Sequence, residues 1–303
     1  MPKHVLVLAG GDSEEREVSL RSGSAVQAAL QAGGYQVSVA NPADGLSELL
    51  PLMKSVSVVF PALHGAGGED GELQLFLEQN GLKFVGSGSK ASALCFDKAR
   101  YTDFLKQNGI LVPETRLLDY EQFGTSPLAQ QPFVLKPNDG GSSIGTIIVR
   151  DTAKQDKTAV KNAFEQHGQL LLQPLITGTE ITVGVLDKQS LPVVEIVPPT
   201  NQEFDYTNKY NGASQELCPP EHVSQADQAE AQSLAEHIHQ LCDCRDMSRT
   251  DIIISQDDKL YVLETNTIPG LTDQSLLPKA AAVAGIKMTD LCDRLVRAVL
   301  AHD

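Results

Sequence analysis

Several things are missing from these 303 residues, and each absence removes a class of function. No apolar run approaches the roughly 20 residues that span a bilayer, so neither a membrane segment nor a membrane partner is expected. The start, MPKHVLVLAGG, has a short apolar run without a longer hydrophobic stretch or cleavage pattern, and acids follow at once. It is expected to be a first β-strand rather than a signal peptide. Lys and Arg number 24 against 39 Asp and Glu, a net charge of −15, and no basic cluster suits a nucleic-acid duplex. An anionic substrate would have to be gripped by local positive groups against an unfavourable global field. The five cysteines, Cys95, Cys218, Cys242, Cys244 and Cys292, contain no CxxC pair. Their odd number fits free thiols in a reducing cytosol, so the expected location is cytoplasmic. The opening glycine loop lacks G-x-G-x-x-G spacing, which argues against a nicotinamide dehydrogenase, and no Walker A loop occurs anywhere.

What is present is ordinary globular chemistry: 41% hydrophobic and 21% charged residues, in a chain long enough for two or three domains. Strands are expected at residues 3–9, 35–40 and 55–63, with a helix up to Ala32, another between the second and third strands, and one over 70–79. That βαβ alternation predicts an α/β fold opening with a parallel, doubly wound sheet. Its strand ends, where such sheets bind ligands, carry GGDSEE with Glu15 and HGAGGEDG with His64. Acids at a helix start also stabilise its dipole, and His64 alone is as easily structural. A helix is expected over 91–107, a strand ending near Pro113, and a hairpin of Phe133–Leu135 with Thr146–Val149. Its Gly- and Ser-rich turn has backbone N–H groups able to cradle an anion, with Lys136 at the strand end beneath. Helices are expected over 153–166, 224–242 and 288–301, with Pro174 breaking the strand LLLQPLITGTEITVGVLD. Residues 198–220 are too long for a simple turn and suit a functional lid or a disordered segment, within which Lys209 and Tyr210 have the most chemical reach. The composition changes around Gly86–Ser89, and a domain boundary is expected near residue 92.

The stretch RTDIIISQDDKLYVLETNTIPG, from Arg249, carries the sharpest chemistry. It predicts a hairpin turning at Asp257-Asp258, which sets Asp251 opposite Glu264 and Arg249 opposite Asn266, all on one face. Ile252, Ile254, Tyr261 and Leu263 then form the core face. Two carboxylates directly across a strand pair repel, so a cation belongs between them. Their oxygens suit Mg²⁺, which takes one or two carboxylates plus substrate phosphates, and Arg249 offers a fixed positive fork for phosphate or carboxylate. The alternative is a surface hairpin whose acids face water, which four such groups on one face disfavour.

Five segments, GGDSEEREVSL, ALHGAGGEDGELQ, GSGSKASALCFDK, KPNDGGSSIG and LETNTIPGLTDQSLLP, occur in the order and separations of a known pattern. The chain resembles bacterial D-alanine–D-alanine ligases of the ATP-grasp superfamily from its first strand to its last helix. The resemblance implies three domains, over 1–92, 93–177 and 178–303, with ATP held between the central and C-terminal sheets. It implies ligation of two D-alanine molecules through an acyl phosphate for peptidoglycan, two Mg²⁺ ions (with Mn²⁺ as a substitute), and a homodimer. By resemblance Asp251, Glu264 and Asn266 are the metal ligands, and Lys98 and Lys136 grip phosphates with Ser142 and Ser143. Lys209 also falls among the nucleotide contacts. Glu180 takes the ribose, and the hinge at Gln173, Leu175 and Ile176 the adenine. Arg249 steadies the transferred phosphate and the oxyanion, with backbone at Gly270. Glu15 receives the first D-alanine's ammonium. Ser275 and Leu276 hold the second substrate's carboxylate near His64, and Tyr210 joins the lid to Ser142 and Glu15. The family hinge usually reads Glu-Lys, whereas this chain has Gln173-Pro174, and Pro174 has no N–H to donate. Two rivals stay open: a D-alanine–D-lactate or D-alanine–D-serine ligase of the same fold, and a non-catalytic nucleotide-binding module.

Overall fold

A computed structural model describes residues 3–198 and 214–301. The first strand, β1 (His4–Leu8), has four consecutive buried apolar residues, the pattern of a parallel strand covered on both faces. It lies between β2 (Gln36–Ala40) and β3 (Val58–Pro61), and both pairings are parallel. Val5, Val7, Val58 and Phe60 pack on the helix Arg16–Ala32 and the closing helix Met288–Ala301. On the other face, Leu6, Leu8 and Val59 meet Met53, Leu73 and Leu77 from the helices Leu46–Ser55 and Glu72–Gln79. The sheet is therefore doubly wound, as expected, and the far end of the chain supplies one of the two helices on its first face.

The helix expected over 91–107 is two helices, Ser89–Phe96 and Lys98–Gln107. Asp97 separates them in extended backbone (φ −82°, ψ 97°), and its carboxylate caps the second by accepting from Arg100 N–H. Apolar spacing runs on through the break, which is why periodicity alone misses it.

Two antiparallel sheets follow. The first has order β4-β7-β5-β6, made of β4 (Arg116–Leu118), β5 (Phe133–Lys136), β6 (Ile147–Val149) and β7 (Leu170–Pro174). The expected β5–β6 hairpin is present, but the strand expected to end near Pro113 starts at Arg116 instead. The second sheet comprises β8 (Gly178–Leu186), β9 (Gln189–Ser190), β10 (Val194–Val197), β11 (Gln215–Leu217), β12 (Met247–Ser255) and β13 (Leu260–Asn266). Its order is β11-β10-β8-β12-β13, with β9 on β8. The run LLLQPLITGTEITVGVLD is thus two strands in two sheets, and residues 175–177 form the hinge between them. Gly178 opens β8 so close to β12 that a Cβ there would lie 1.9 Å from the Ile254 carbonyl oxygen. The helices Ser89–Phe96, Lys98–Gln107 and Gln225–Leu241 share a core with this sheet through Cys95, Tyr101, Leu105, Ala235 and Ile238. Helix Leu276–Val283 was not anticipated; its Leu276, Leu277 and Ala280 join the core of the first sheet.

Candidate active site between the two antiparallel sheets

The central hairpin turns differently from expectation, yet delivers the expected pairs. Asp258 lies at φ 56° and donates its N–H to Ser255, so the loop is the three residues 256–258, not a two-residue turn at Asp257-Asp258. That slides the first pairs to Ile254–Leu260, Ile253–Tyr261 and Ile252–Val262. A bulge between Asp251 and Ile252 slides the register back, giving Asp251–Glu264, Thr250–Thr265 and Arg249–Asn266. The two displacements cancel at the site and fail to cancel in between. The buried apolar residues of β13 are therefore Leu260 and Val262, not Tyr261 and Leu263. Leu263 instead lines the cleft beside Glu264.

That cleft has a volume of about 440 Å³. One wall comes from Val134, Lys136, Ile148 and Gln173 of the first antiparallel sheet, the other from Glu180, Asp251, Ile253 and Glu264 of the second. The hinge residues Pro174, Leu175 and Ile176 close one side, and the loop carrying Ser142 and Ser143 covers another. Lys98 also lines it. The apolar walls and few convergent polar groups are those of a small-molecule site.

Arg249 is buried and forks onto Asp251, with Nε 2.9 Å from Oδ1 and Nη2 2.8 Å from Oδ2. Thr182, opposite Asp251 on β8, donates its hydroxyl to the same carboxylate. Burial opposes the Arg249 charge, but Asp251, Glu264 and Glu69 around it hold the guanidinium pKa above its ordinary value. Lys98 donates to the Gly140 carbonyl and stands 3.8 Å from Glu264. Burial drives the Lys136 amine down to about 8, against the attraction of Glu264, Glu180 and Asp251. Half of such amines carry no charge near pH 8, so the group sits in a protein environment that a polyanion would reverse.

The donor set answers whether a metal fits. Asp251 and Glu264 supply carboxylates at directly paired positions, and Asn266 supplies an amide oxygen that accepts from Ile268 N–H at 3.0 Å. Among the described residues no group of three or more His, Cys, Asp or Glu side chains converges as a dedicated metal cage. Two hard carboxylates lining the cleft and an amide in the small cavity that adjoins it match the sparse protein ligation of Mg²⁺, so the residues fit.

The first domain reaches this cleft through Glu15. Ser142 donates its hydroxyl to the Glu15 carboxylate, and a Cβ on Gly141 would lie 2.8 Å from Glu15 Oε2. Ser142 and Ser143 both hold positive φ (54° and 58°), a region that costs L-residues about 1–2 kcal/mol. His64 is buried between Ser22 (2.9 Å to Nε2) and the Ile268 carbonyl (3.1 Å to Nδ1). A carbonyl cannot donate, so the proton is on Nδ1. Gly270 lies against Ser275, whose hydroxyl accepts from Thr272 N–H at 3.1 Å; a Cβ at Gly270 would be 2.7 Å from that oxygen. Leu276 is buried next to it. At the hinge, Gln173 is held by Thr115 at 2.8 Å and the Leu175 N–H is given to Pro132, which leaves Ile176 to supply an N–H. Lys209 and Tyr210 lie outside the described residues.

These groups come from the two antiparallel sheets and from loops that follow strands of the parallel one. The sequence matches the D-ala D-ala ligase C-terminus model over residues 106–297 and the D-ala D-ala ligase N-terminus model over residues 38–87.

The chain belongs to the D-alanine–D-alanine ligase family.

The D-alanine–D-alanine ligase of Syntrophobacter fumaroxidans is 41% identical over 305 residues, covering 98% of this chain and 97% of that protein. That of Methylacidiphilum infernorum is 38% identical over 299 residues, with 98% and 95% covered. Among solved structures, the Bacillus anthracis ligase complexed with ATP superposes with a TM-score of 0.84 at 27% identity, covering 99% of this chain and 98% of that one. A D-Ala:D-Ser ligase from Enterococcus faecalis superposes with a TM-score of 0.82 at 26% identity, over 99% and 100%.

In this ligase-family site, sequence reasoning had not singled out Glu69. It is buried, accepts from Gly65 N–H at 2.9 Å, and is pushed up to about 8 by burial and by Glu15. An acid inside a glycine-rich loop at a sheet edge was the available signal. Thr182 was missed because its pairing with Asp251 joins strands distant in the chain.

Proposed function

We propose that this chain joins two D-alanine molecules into D-alanyl-D-alanine, with cleavage of ATP to ADP and phosphate. The observation that carries this reading is that Lys136 of one antiparallel sheet and Asp251 and Glu264 of the other line a single cleft, with Arg249 forked onto Asp251 and Glu15 of the first domain bonded to Ser142 in the cleft's covering loop. Two-step acyl transfer needs such a convergence, because acid, phosphoryl donor and amine must meet in one dry place.

ATP enters between the two antiparallel sheets, with its base against Val134, Ile148 and Leu263. Ile176 N–H and the hinge carbonyls meet the base edge, and Glu180 takes the ribose. Lys98 and Lys136 hold phosphate oxygens, and the N–H groups around Ser142 and Ser143 close over them. Asp251, Glu264 and Asn266 would hold Mg²⁺, which would supply charge neutralisation at the phosphates. The carboxylate of the first D-alanine attacks the terminal phosphorus and ADP leaves, giving an acyl phosphate. Glu15 anchors that D-alanine's ammonium, and Ser142 fixes Glu15. The amine of the second D-alanine, placed by Ser275 and Leu276, attacks the acyl carbon. Arg249 and the backbone at Gly270 stabilise the oxyanion until phosphate departs. His64, with its proton on Nδ1, holds the loop at Ile268 that leads to Gly270.

The same reading assigns the spans 1–92, 93–177 and 178–303 to three domains; each owns one sheet, although residue 92 lies inside the helix Ser89–Phe96. It also includes a homodimer and a cytoplasmic setting. No helix among the described residues is long and apolar enough to cross a membrane. The test is ADP release by the purified protein with Mg²⁺ and D-alanine, with product identified by mass. ADP release that needs D-alanine and yields the dipeptide supports the reading, and its absence defeats it. Preferential incorporation of D-lactate or D-serine in competition assigns the second substrate otherwise.

A further inference from the structure

A chain of buried hydroxyls lies behind the cleft, on the core face of the second antiparallel sheet. The Tyr101 hydroxyl is 2.6 Å from that of Thr265, and the Thr265 hydroxyl is 2.9 Å from that of Thr250. Tyr101, Thr265 and Thr250 are 0%, 3% and 0% exposed, and the surrounding core is apolar, with Leu105, Val183 and Val262 among its members. The proposed chemistry uses none of the three.

Each of them nevertheless sits beside the site. Thr250 lies between Arg249 and Asp251 on β12, and Thr265 between Glu264 and Asn266 on β13. Side chains alternate along a strand, so the two threonines face the core from the backs of these four residues. Tyr101 stands one turn along the helix Lys98–Gln107, which begins at Lys98. The first turn of that helix is fixed as well: the Thr102 hydroxyl donates to the Lys98 carbonyl at 2.7 Å, and Lys98 N–H is given to the Asn138 carbonyl at 3.1 Å. The hydroxyl chain therefore ties the helix of Lys98 to both carboxylate strands, and Lys98 stands 3.8 Å from Glu264.

Apolar side chains would fill this space without needing any partner, so what the hydroxyls add is direction. Thr250 and Thr265 are directly paired, one position beyond Asp251–Glu264 and its bulge, where Leu263 has no partner on β12. The bulge has already displaced the register by one residue; a further slip of that size would turn Glu264 away from Asp251. Apolar contact is non-directional and opposes such a slip weakly, whereas a hydrogen bond holds only near its own geometry. A fully paired buried network thereby selects one arrangement.

We propose that Tyr101, Thr265 and Thr250 are positioning residues for the phosphate end of the nucleotide site, locking β13 on β12 beside the bulge and holding Lys98 against Glu264. The consequence for nucleotide rests on the ligase reading above; the lock on the strands does not.

The test compares the wild type with Tyr101→Phe and with the triple variant Tyr101→Phe, Thr250→Val, Thr265→Val. Removing every hydroxyl leaves no buried group unpaired, so the triple variant should unfold at or above the wild-type temperature. Its amide exchange over residues 264–266 should nevertheless quicken severalfold in ligand-free protein. Its affinity for a non-hydrolysable ATP analogue with Mg²⁺ should fall severalfold, and KM for ATP should rise while KM for D-alanine stays. Tyr101→Phe, which leaves the two threonines bonded to each other, should show a smaller loss of affinity in the same sense. Wild-type exchange and affinity in the triple variant would overturn the proposal, and quicker exchange with unchanged affinity would overturn the link to the site. Unchanged affinity in Tyr101→Phe would overturn the tie to Lys98, whether or not the triple variant folds. ADP release by wild-type protein is read separately and exchange needs no ligand, so failure of the ligase reading is distinguishable from failure of this one.

Discussion

Replacing Glu69 by Gln should remove a specific part of the pH dependence of stability. The folded carboxyl titrates near 8, while its ordinary value is 4.5. Between those values the folded protein holds a proton that the unfolded chain has released, so stability falls as pH rises through the window. From about pH 6 to pH 8 the total statistical weight of the folded carboxyl, relative to its ionised form, drops roughly fiftyfold, a loss of about 2 kcal/mol. Lys136 acts with the opposite sign. Its folded value near 8 lies below its ordinary 10.5, so the cost of its charge is present in full below 8 and is relieved as pH rises toward 10.5. In the same window it returns less than about 0.5 kcal/mol, so Glu69 dominates. Glutamine keeps an oxygen for Gly65 N–H and has no proton to lose. Thermal unfolding of the ligand-free protein should show the wild-type Tm falling by about 4 °C more than that of Glu69→Gln over this range. Parallel Tm profiles for the two proteins would refute a protonated, buried Glu69.

ATP affinity should weaken as pH rises through about 8, because Lys136 loses its charge there, and Lys136→Arg should flatten that slope in a calorimetric titration; equal slopes would count against the amine's role. Arg249→Lys keeps the charge but cannot fork onto both Asp251 oxygens, so kcat should drop about 100-fold or more with little change in KM for ATP. A drop of under about threefold would remove Arg249 from the oxyanion's surroundings. Gly178→Ala drives a Cβ to within 1.9 Å of the Ile254 oxygen and should cost about 2 kcal/mol or more by chemical denaturation; an unchanged midpoint would show that β8 and β12 tolerate separation.

The elements best read from sequence are those whose signals are local. The β1 run, the Arg16–Ala32 helix closed by glycines, and the closing amphipathic helix all match expectation. The central hairpin is more instructive. Its functional pairs were anticipated correctly although its loop was one residue longer than assumed, because a bulge next to Asp251 restored the register. A bulge has no dependable composition signal, so the misplacement of Tyr261 and Leu263 could not be seen in advance. The break at Asp97 did leave a trace, a capping aspartate, hidden by apolar spacing that continued through it. Glu69 passed as one more loop acid because its neighbours Glu15, Arg249 and Glu264 come from three other parts of the chain.

By itself, the sequence determined which groups are available and how each sits on its own strand or turn: the carboxylates paired across a hairpin, the lysine below a glycine-rich loop, the broken strand at Pro174. These follow from side-chain alternation and turn chemistry, which act over a few residues. Only tertiary structure decided which of them meet. Glu15 touches Ser142, Thr182 supports Asp251, and Glu69 stays protonated among distant charges. Burial and electrostatic coupling depend on spatial neighbours, and spatial neighbours are set by how the sheets pack.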